Sequence, residues 1–314
     1  MNELIFFNPI FKTTVWGGNK LETEFGFVIP SDHTGESWVI SAHRNGDCPV
    51  KKGSFEGKAL SWLWKNHWEL FGEKSVTEFP LLIKIIDAKD DLSIQVHPDD
   101  AYAMKYENGS YGKTECWYIL DCEDEAEIVI GHNANDKSEL KSMIDNSEWK
   151  NLIRTRKIKK GDFFQIEPGT LHAIKKGTMI LEIQQNSDIT YRVYDYDRLD
   201  KGKTRELHLE KSLAVITCPQ SHTKNTMKEF FSESCEITEM INCDKYVVKR
   251  ISIHGRKEFL AESMFCNVCV IEGSGYINDQ KLTKGDAFII PLNYGSYALE
   301  GDMQLIISSA GTMV

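Results

Sequence analysis

The chain carries one stretch twice. "KKGDFFQIEPGTLHAI" (159–174) and "TKGDAFIIPLNYGSYAL" (283–299) share Lys-Gly-Asp-x-Phe, an aliphatic run and a proline. In each copy a Gly-Asp turn feeds a strand that leaves through a proline-containing loop. A repeat of this kind sets the architecture, because each copy must bury its apolar face in the same way. The position eleven residues after the glycine is His172 in the first copy and Ser296 in the second, so only one copy has a histidine there. The runs outside the copies agree: "GESWVISAH", "FPLLIKIID", "CWYILD", "AEIVIGH", "MILEIQQN", "YVVKRISIHG" and "MQLIISSA" are short, β-branched or aromatic, and separated by Gly, Asn and Asp turns. Such density predicts an all-β fold of two sandwiches or barrels of one type rather than βαβ units. Helical spacing of apolar residues predicts helices over 57–71 and 137–153, with a weaker one over 209–215. The polar stretch 221–236 reads as the connection, dividing the chain into 1–235 and 236–314.

Composition narrows the function classes. A net charge of −10 argues against nucleic acid as a partner, since that needs clustered positive surface, but leaves room for a small anion in a locally basic pocket. The N-terminal "MNELIFFNPIFKTT" has no basic segment followed by a long apolar core, and no run approaches the ~18 apolar residues of a membrane span. The expectation is a cytoplasmic protein without membrane contact, its eight cysteines reduced. Cys266 and Cys269 form a CxxC without the second pair a zinc ribbon needs. On a strand, residues three apart point to opposite faces, so both read as core cysteines.

"LSIQVHPDD" (92–100) alternates Leu92, Ile94 and Val96 with Ser93, Gln95 and His97. Alternation puts the polar trio on one face of a strand. Two readings are open: a solvent-facing edge strand, or two ligands of one metal ion at Gln95 and His97. Glu115 of "GKTECWYIL" opens an apolar strand, and His172 follows a Pro-Gly turn among apolar neighbours. Each alone fits a hydrogen-bonded structural residue equally well. Together the four make a nitrogen and oxygen ligand set on separate strands, which suits Zn²⁺ with a position open for substrate or water.

With Q-x-H, this glutamate, and a histidine on the Gly-Asp-x-Phe…Pro strand, the sequence resembles the type I phosphomannose isomerases, the zinc-dependent mannose-6-phosphate isomerases of the cupin superfamily. "NPIFKTTVWGG", "GESWVIS", "FPLLIKIIDAKDDLSIQVHPDDAYA", "GKTECWYIL" and "SDITYRVYD" carry the resemblance over most of the chain. The C-terminal copy is recognisable mainly as a cupin. The resemblance implies two cupin-type jelly-roll barrels with a few short helices, the second lacking metal ligands. It also implies one Zn²⁺ per chain on Gln95, His97, Glu115 and His172, with Ser93 and Lys113 toward the substrate phosphate. Arg192 of "SDITYR" would be catalytic, with Glu182 near the metal. A tyrosine that eukaryotic members carry two residues after the ligand histidine is Ile174 here, and the large helical insertion of longer members has no room. Both point to the short bacterial form.

The implied reaction moves a proton between C1 and C2 of a sugar phosphate through a cis-enediol. It needs electrophilic help at O1 and O2 and a group to carry the proton. A neutral Gln95 would leave a Zn²⁺ ion with a single carboxylate ligand and hence a net positive charge. Arg192 reads either as a fixed cation beside the developing enediolate or as a salt-bridge partner of Asp188 or Asp195. Glu182 reads as a proton carrier or as a residue orienting a ligand histidine. Asp99 and Asp100, after a strand-ending proline, read as solvated turn acids rather than bases. Two other classes stand beside the isomerase: an iron or manganese cupin dioxygenase, whose sites carry more histidines, and a non-catalytic sugar-binding cupin. Among partners, a small sugar phosphate and a monomer or weak homo-oligomer are expected.

Overall fold

A computed structural model of the chain describes residues 3–72, 76–220, 227–232, 234–261 and 264–311. Among these residues, strands form a six-stranded, a five-stranded and an eight-stranded sheet, with two small two-stranded ribbons. The six-stranded sheet runs in the order Phe163–Ile166, Glu115–Cys122, Thr178–Gln185, Leu81–Ala88, Ile10–Gly18 and Thr34–Ile40. The five-stranded sheet runs Ile153–Lys157, Glu127–His132, His172–Ile174, Ile94–Val96 and Tyr191–Tyr194.

Period-two alternation decides what each face meets. Ile86, Trp117, Ile119 and Ile180 of the six-stranded sheet share a core with Ile128 and Ile174 of the five-stranded one. The opposite face of the six-stranded sheet carries Leu81, Ile83, Cys116, Tyr118 and Leu181, in one cluster with Tyr246, Val248 and Ile306 of the C-terminal strands. On the five-stranded sheet, Ile94, Val96, Ala173 and Val193 pack under Leu140, Ile144 and Leu152 of two helices. Both faces of the central strands are therefore covered, and all eight residues of Leu81–Ala88 are buried.

The repeat has a physical basis in the fold. Gly161 and Gly285 both take positive φ, 89° and 94°, where a side chain would be strained. The aspartate after each closes the turn: Asp162 accepts from the Lys159 amide at 3.0 Å and Asp286 from the Thr283 amide at 2.8 Å. The strands Phe163–Ile166 and Ala287–Ile290 follow, and His172 and Ser296 each open the next strand. In the C-terminal sheet, Tyr246–Leu260 and Ser296–Ala310 pair over their whole length, around a core of Val268, Phe288, Leu305 and Ile251. The far N-terminus is stitched into it, since Ile5 and Phe6 pair with Ile289 and Phe288.

Local expectations are corrected in detail. The helix read over 57–71 is Leu60–Asn66 plus a 3₁₀ turn, Trp68–Leu70, interrupted at His67 with non-helical φ −130° and ψ 60°. That over 137–153 is Lys137–Asp145 and Trp149–Leu152, separated by Ser147 at φ 56°. The helix Leu209–Val215 lies where spacing puts it. A helix not anticipated, Asp100–Tyr106, follows the "HPD" turn, with Asp99 as its N-cap. Of the supposed connection, 221–226 and 233 lie outside the described residues, whereas Lys228–Ser232 is not a linker but an exposed strand on Cys235–Asn242. Cys266 and Cys269 fall in different core clusters, as residues three apart on a strand must. No helix of the described residues is long and apolar enough to cross a membrane.

Candidate metal centre and its surroundings

The inner faces of the two sheets are apolar at one end and polar at the other. The strand of "LSIQVHPDD" is shorter than its alternation suggests, Ile94–Val96, with Ser93 just before it and His97 just after. It is no solvent-facing edge: Ser93 and His97 are buried, and Gln95 is half-buried. Gln95 stands in register with His172 on one side and Arg192 on the other, so these three inward side chains lie abreast. Glu115 faces them from the opposing sheet, where it opens its strand beside Gln184 and Ile166.

Donor atoms of His97, Glu115 and His172 lie within 4.8 Å of one another, and all three residues are buried. The Nδ1–H of His97 donates to the Ile189 carbonyl and that of His172 to the Thr170 carbonyl, each at 2.8 Å. A carbonyl only accepts, so the proton of each ring sits on Nδ1 and each Nε2 presents a lone pair. Those two Nε2 atoms are 3.1 Å apart. Two lone pairs so close repel unless a cation lies between or beside them. Burial also disfavours protonation: it pushes His172 down to about 4 and His97 well below its ordinary value, with the charge of Lys113 adding to the effect on both. Both rings are therefore neutral at pH 7, the form that ligates metal.

Glu115 completes the set. Neither of its carboxylate oxygens forms a well-shaped hydrogen bond, although Lys113 Nζ stands 2.7 Å from Oε2. Burial, and then the negative charge of Glu182, push its carboxyl up to about 7. Gln95 Nε2 is 3.3 Å from His172 Nε2, and a flip of that amide presents its oxygen to the same point. Two neutral imidazoles, one buried carboxylate and one amide oxygen fit a divalent cation of intermediate softness.

Lys113 lies in the ligand set itself, its Nζ 3.2 Å from His97 Nε2 as well as beside Glu115. An extended backbone puts residues two apart on one face, which is why Lys113 follows Glu115 inward. Glu182 is held by Trp117, whose indole N–H donates to Oε1 at 3.0 Å, and by Lys84, whose Nζ is 3.3 Å from Oε2. Burial would raise this carboxyl, but Lys113 and Lys84 more than offset it and hold it down at about 2. Backbone carbonyls, not Glu182, orient the histidines.

Lys84 and Glu36 were not singled out in the sequence. Lys84 Nζ lies 3.7 Å from Glu36 and 5.2 Å from the Trp38 ring, and the Trp38 indole donates to Glu36 at 2.6 Å. The available signal was the lone lysine of "LLIKIID", a cation in a run otherwise too apolar to face water. Burial would lower the Lys84 ammonium, but Glu36 and Glu182 reverse this and raise it, so it stays charged.

Arg192 is no salt-bridge partner of Asp195, which is taken by Arg198 and Arg205 at 2.7 Å. Its Nη1 donates to the Glu206 carbonyl at 2.9 Å, and its Nε is buried without a partner. Asp99 and Asp100 are structural: Asp99 caps the helix, and Asp100 binds Lys245, Gly112 and Gln185. A cavity of about 600 Å³ reaches Ile189, whose carbonyl holds His97, and is lined among others by His43, Arg44, Asn45 and Asp188.

Comparison with known proteins accords with this geometry. Residues 4–145 match the family model of the phosphomannose isomerase type I catalytic domain, and 236–310 that of the mannose-6-phosphate isomerase cupin domain. Over 313 residues the chain is 47% identical to mannose-6-phosphate isomerase ManA of Bacillus subtilis, covering 98% of each chain. It is 43% identical over 314 residues to the mannose-6-phosphate isomerase of Streptococcus mutans, again covering 98% of each. The crystal structure of the mannose 6-phosphate isomerase from Bacillus subtilis superposes with a TM-score of 0.95 at 45% identity, covering 98% of this chain and 99% of that one. A putative mannosephosphate isomerase from Archaeoglobus fulgidus, 20% identical, shares the fold with a TM-score of 0.77 over 98% of each chain. With its two inward-facing histidines, its buried carboxylate and these relatives over its full length, the chain belongs to the type I phosphomannose isomerase family.

Proposed function

We propose that this chain is a zinc-dependent mannose-6-phosphate isomerase that interconverts mannose 6-phosphate and fructose 6-phosphate through a cis-enediol. One Zn²⁺ would be held by Gln95, His97, Glu115 and His172. The observation that carries the reading is the pair of unprotonated Nε2 atoms 3.1 Å apart with a buried carboxylate beside them, three donors converging on one point that the Lys113 ammonium meets only from the Glu115 and His97 side. When bound, that ion supplies Lewis acidity toward the substrate's O1 and O2. The neutral Gln95 keeps the ligand set at one negative charge, so the ion's field is only partly cancelled.

The protein's own groups divide the remaining work. Arg192, abreast of Gln95 on the neighbouring strand, is the fixed cation for charge that develops on the enediol. Lys113 touches the candidate ligands His97 and Glu115, and we assign it to holding or moving a proton in the reaction. Glu182 is held too acidic for an efficient base at neutral pH, and serves to keep Lys84 in place. Ser93, buried at the head of the Gln95 strand, is assigned to the phosphate side. The catalytic unit spans 1–235 and the second cupin unit 236–314, in a cytoplasmic enzyme acting as a monomer or weak homo-oligomer.

The test is a coupled assay of mannose 6-phosphate turnover before chelation, after it, and after zinc add-back. Activity should vanish and return, and Arg192→Ala should keep zinc while losing most of kcat. Turnover indifferent to chelation would sink the reading.

A further inference from the structure

Lys113 sits on no regular element. The strand of Glu115 starts two residues later, and the helix Asp100–Tyr106 ended several residues earlier. Yet its ammonium has to stay within hydrogen-bond distance of two ligands. Three consecutive amides hold this part of the chain. The Gly112 N–H donates to Asp100 Oδ1 at 2.8 Å, the Lys113 N–H to the Pro98 carbonyl at 3.0 Å, and the Thr114 N–H to Gln185 Oε1 at 3.0 Å. Gln185 is itself fixed, since its Nε2 donates to the same Asp100 Oδ1 at 2.9 Å. Asp100 thus ties down both sides of Lys113. The fit is close: a Cβ on Gly112 would stand 2.4 Å from the backbone carbon of Asp99 and 2.5 Å from the amide nitrogen of Asp100.

The other carboxylate oxygen of Asp100 belongs to the second cupin unit. Lys245 Nζ lies 2.9 Å from Asp100 Oδ2 and 3.3 Å from its neighbour Asp244, with its side chain only 18% exposed. Lys245 stands in the turn between the strands Cys235–Asn242 and Tyr246–Leu260. That turn is anchored independently. The Cys243 amide donates to the Tyr246 carbonyl and the Gly311 amide to the Lys245 carbonyl, each at 3.0 Å. The buried Tyr246 hydroxyl donates to Gln165 at 3.0 Å. Lys245 is therefore presented on a rigid support.

We infer that Lys245, through Asp100, is a positioning residue for Lys113, and that this is a task of the C-terminal unit in the reaction. The inference rests on the role given above to Lys113. A group held by one carboxylate between two loops gives the reacting end its precision, and a small displacement there is amplified in the rate.

The experiment uses the full-length, zinc-loaded enzyme. Lys245→Met should keep its metal content and lower kcat on the order of tenfold with KM little changed, because misplacement near 1 Å has effects of that order or more. Lys245→Arg, which can still reach Asp100, should restore most of the loss, and Asp100→Asn should reproduce it. In a Lys113→Met background, Lys245→Met should add almost nothing further. Should Lys245→Met fold poorly, Lys245→Gln keeps the stem and replaces it. An unchanged kcat in Lys245→Met beside a crippled Lys113→Met overturns the inference alone, as does a loss that recurs in full in the Lys113→Met background. Full activity of Lys113→Met overturns the role of Lys113 and the inference with it.

Discussion

Replacing Lys84 by methionine tests the polar layer beneath the metal site. Methionine matches the length of the lysine stem, so packing is largely kept and the charge alone is removed. In the native site Lys84 Nζ faces two carboxylates, Glu182 at 3.3 Å and Glu36 at 3.7 Å, with side-chain exposures of 3% and 19%. Glu36 keeps the Trp38 N–H and some water. Glu182 keeps the Trp117 N–H and the field of the more distant Lys113, but loses the one cation in contact with it. Breaking such a pair costs about 3–5 kcal/mol, which at about 2 °C per kcal/mol for a chain of this size lowers Tm on the order of 5–10 °C. Thermal melts of metal-free protein at pH 7 measure it. Lys84→Met with Glu182→Gln replaces the stranded anion by a neutral amide that still accepts from Trp117, and should recover more than half of the loss. The pH dependence has a fixed sign. Glu182 is held at about 2 in the folded protein against an ordinary 4.5, so its share of stability is present above about 4.5 and is lost as pH falls toward 2. The gap between wild type and Lys84→Met should narrow over that window. A single variant within about 1 kcal/mol of wild type, or a double variant no better than the single, would refute the reasoning.

Three further outcomes are expected. His172→Ala should lose metal and activity together, read by metal content after gel filtration and by the coupled assay; a variant that kept both would place the metal elsewhere. Gly112→Ala should lower kcat/KM and cost about 1–3 kcal/mol, because its Cβ meets backbone rather than a flexible side chain; unchanged kinetics would show that the 98–100 turn yields easily. Metal binding should release a proton from Glu115 below about pH 7, where burial keeps the metal-free carboxyl protonated, and should release none from it well above that. Calorimetric titration in buffers of different ionisation enthalpy counts the protons, and zero release at pH 6 contradicts the assignment.

The candidate metal site was legible in the chain because its signals are local. Gln95 and His97 stand two apart in an extended run, Glu115 opens an apolar strand, and His172 lies one strand beyond a Gly-Asp turn that recurs at Gly285. Strand alternation and a glycine at positive φ are properties of a few consecutive residues, so a sequence displays them directly. Helix limits were less legible. His67 and Ser147 leave helical geometry in runs whose apolar spacing continues, and the helix Asp100–Tyr106 hid behind a proline that reads as a stop.

By itself, then, the sequence pointed to a β fold with one motif used twice, to a histidine in only one copy of it, and to the residue types gathered at the candidate site. Tertiary structure alone decided what those residues touch. The pairing of Lys84 with Glu182 depends on the register of Leu81–Ala88 against Thr178–Gln185, about a hundred residues apart in the chain. Lys113 meets His97 only because two sheets face each other, and Lys245 meets Asp100 only because the second unit docks on the first. Such contacts come from long-range packing of both faces of a strand, and no local pattern records which distant side chain will stand opposite.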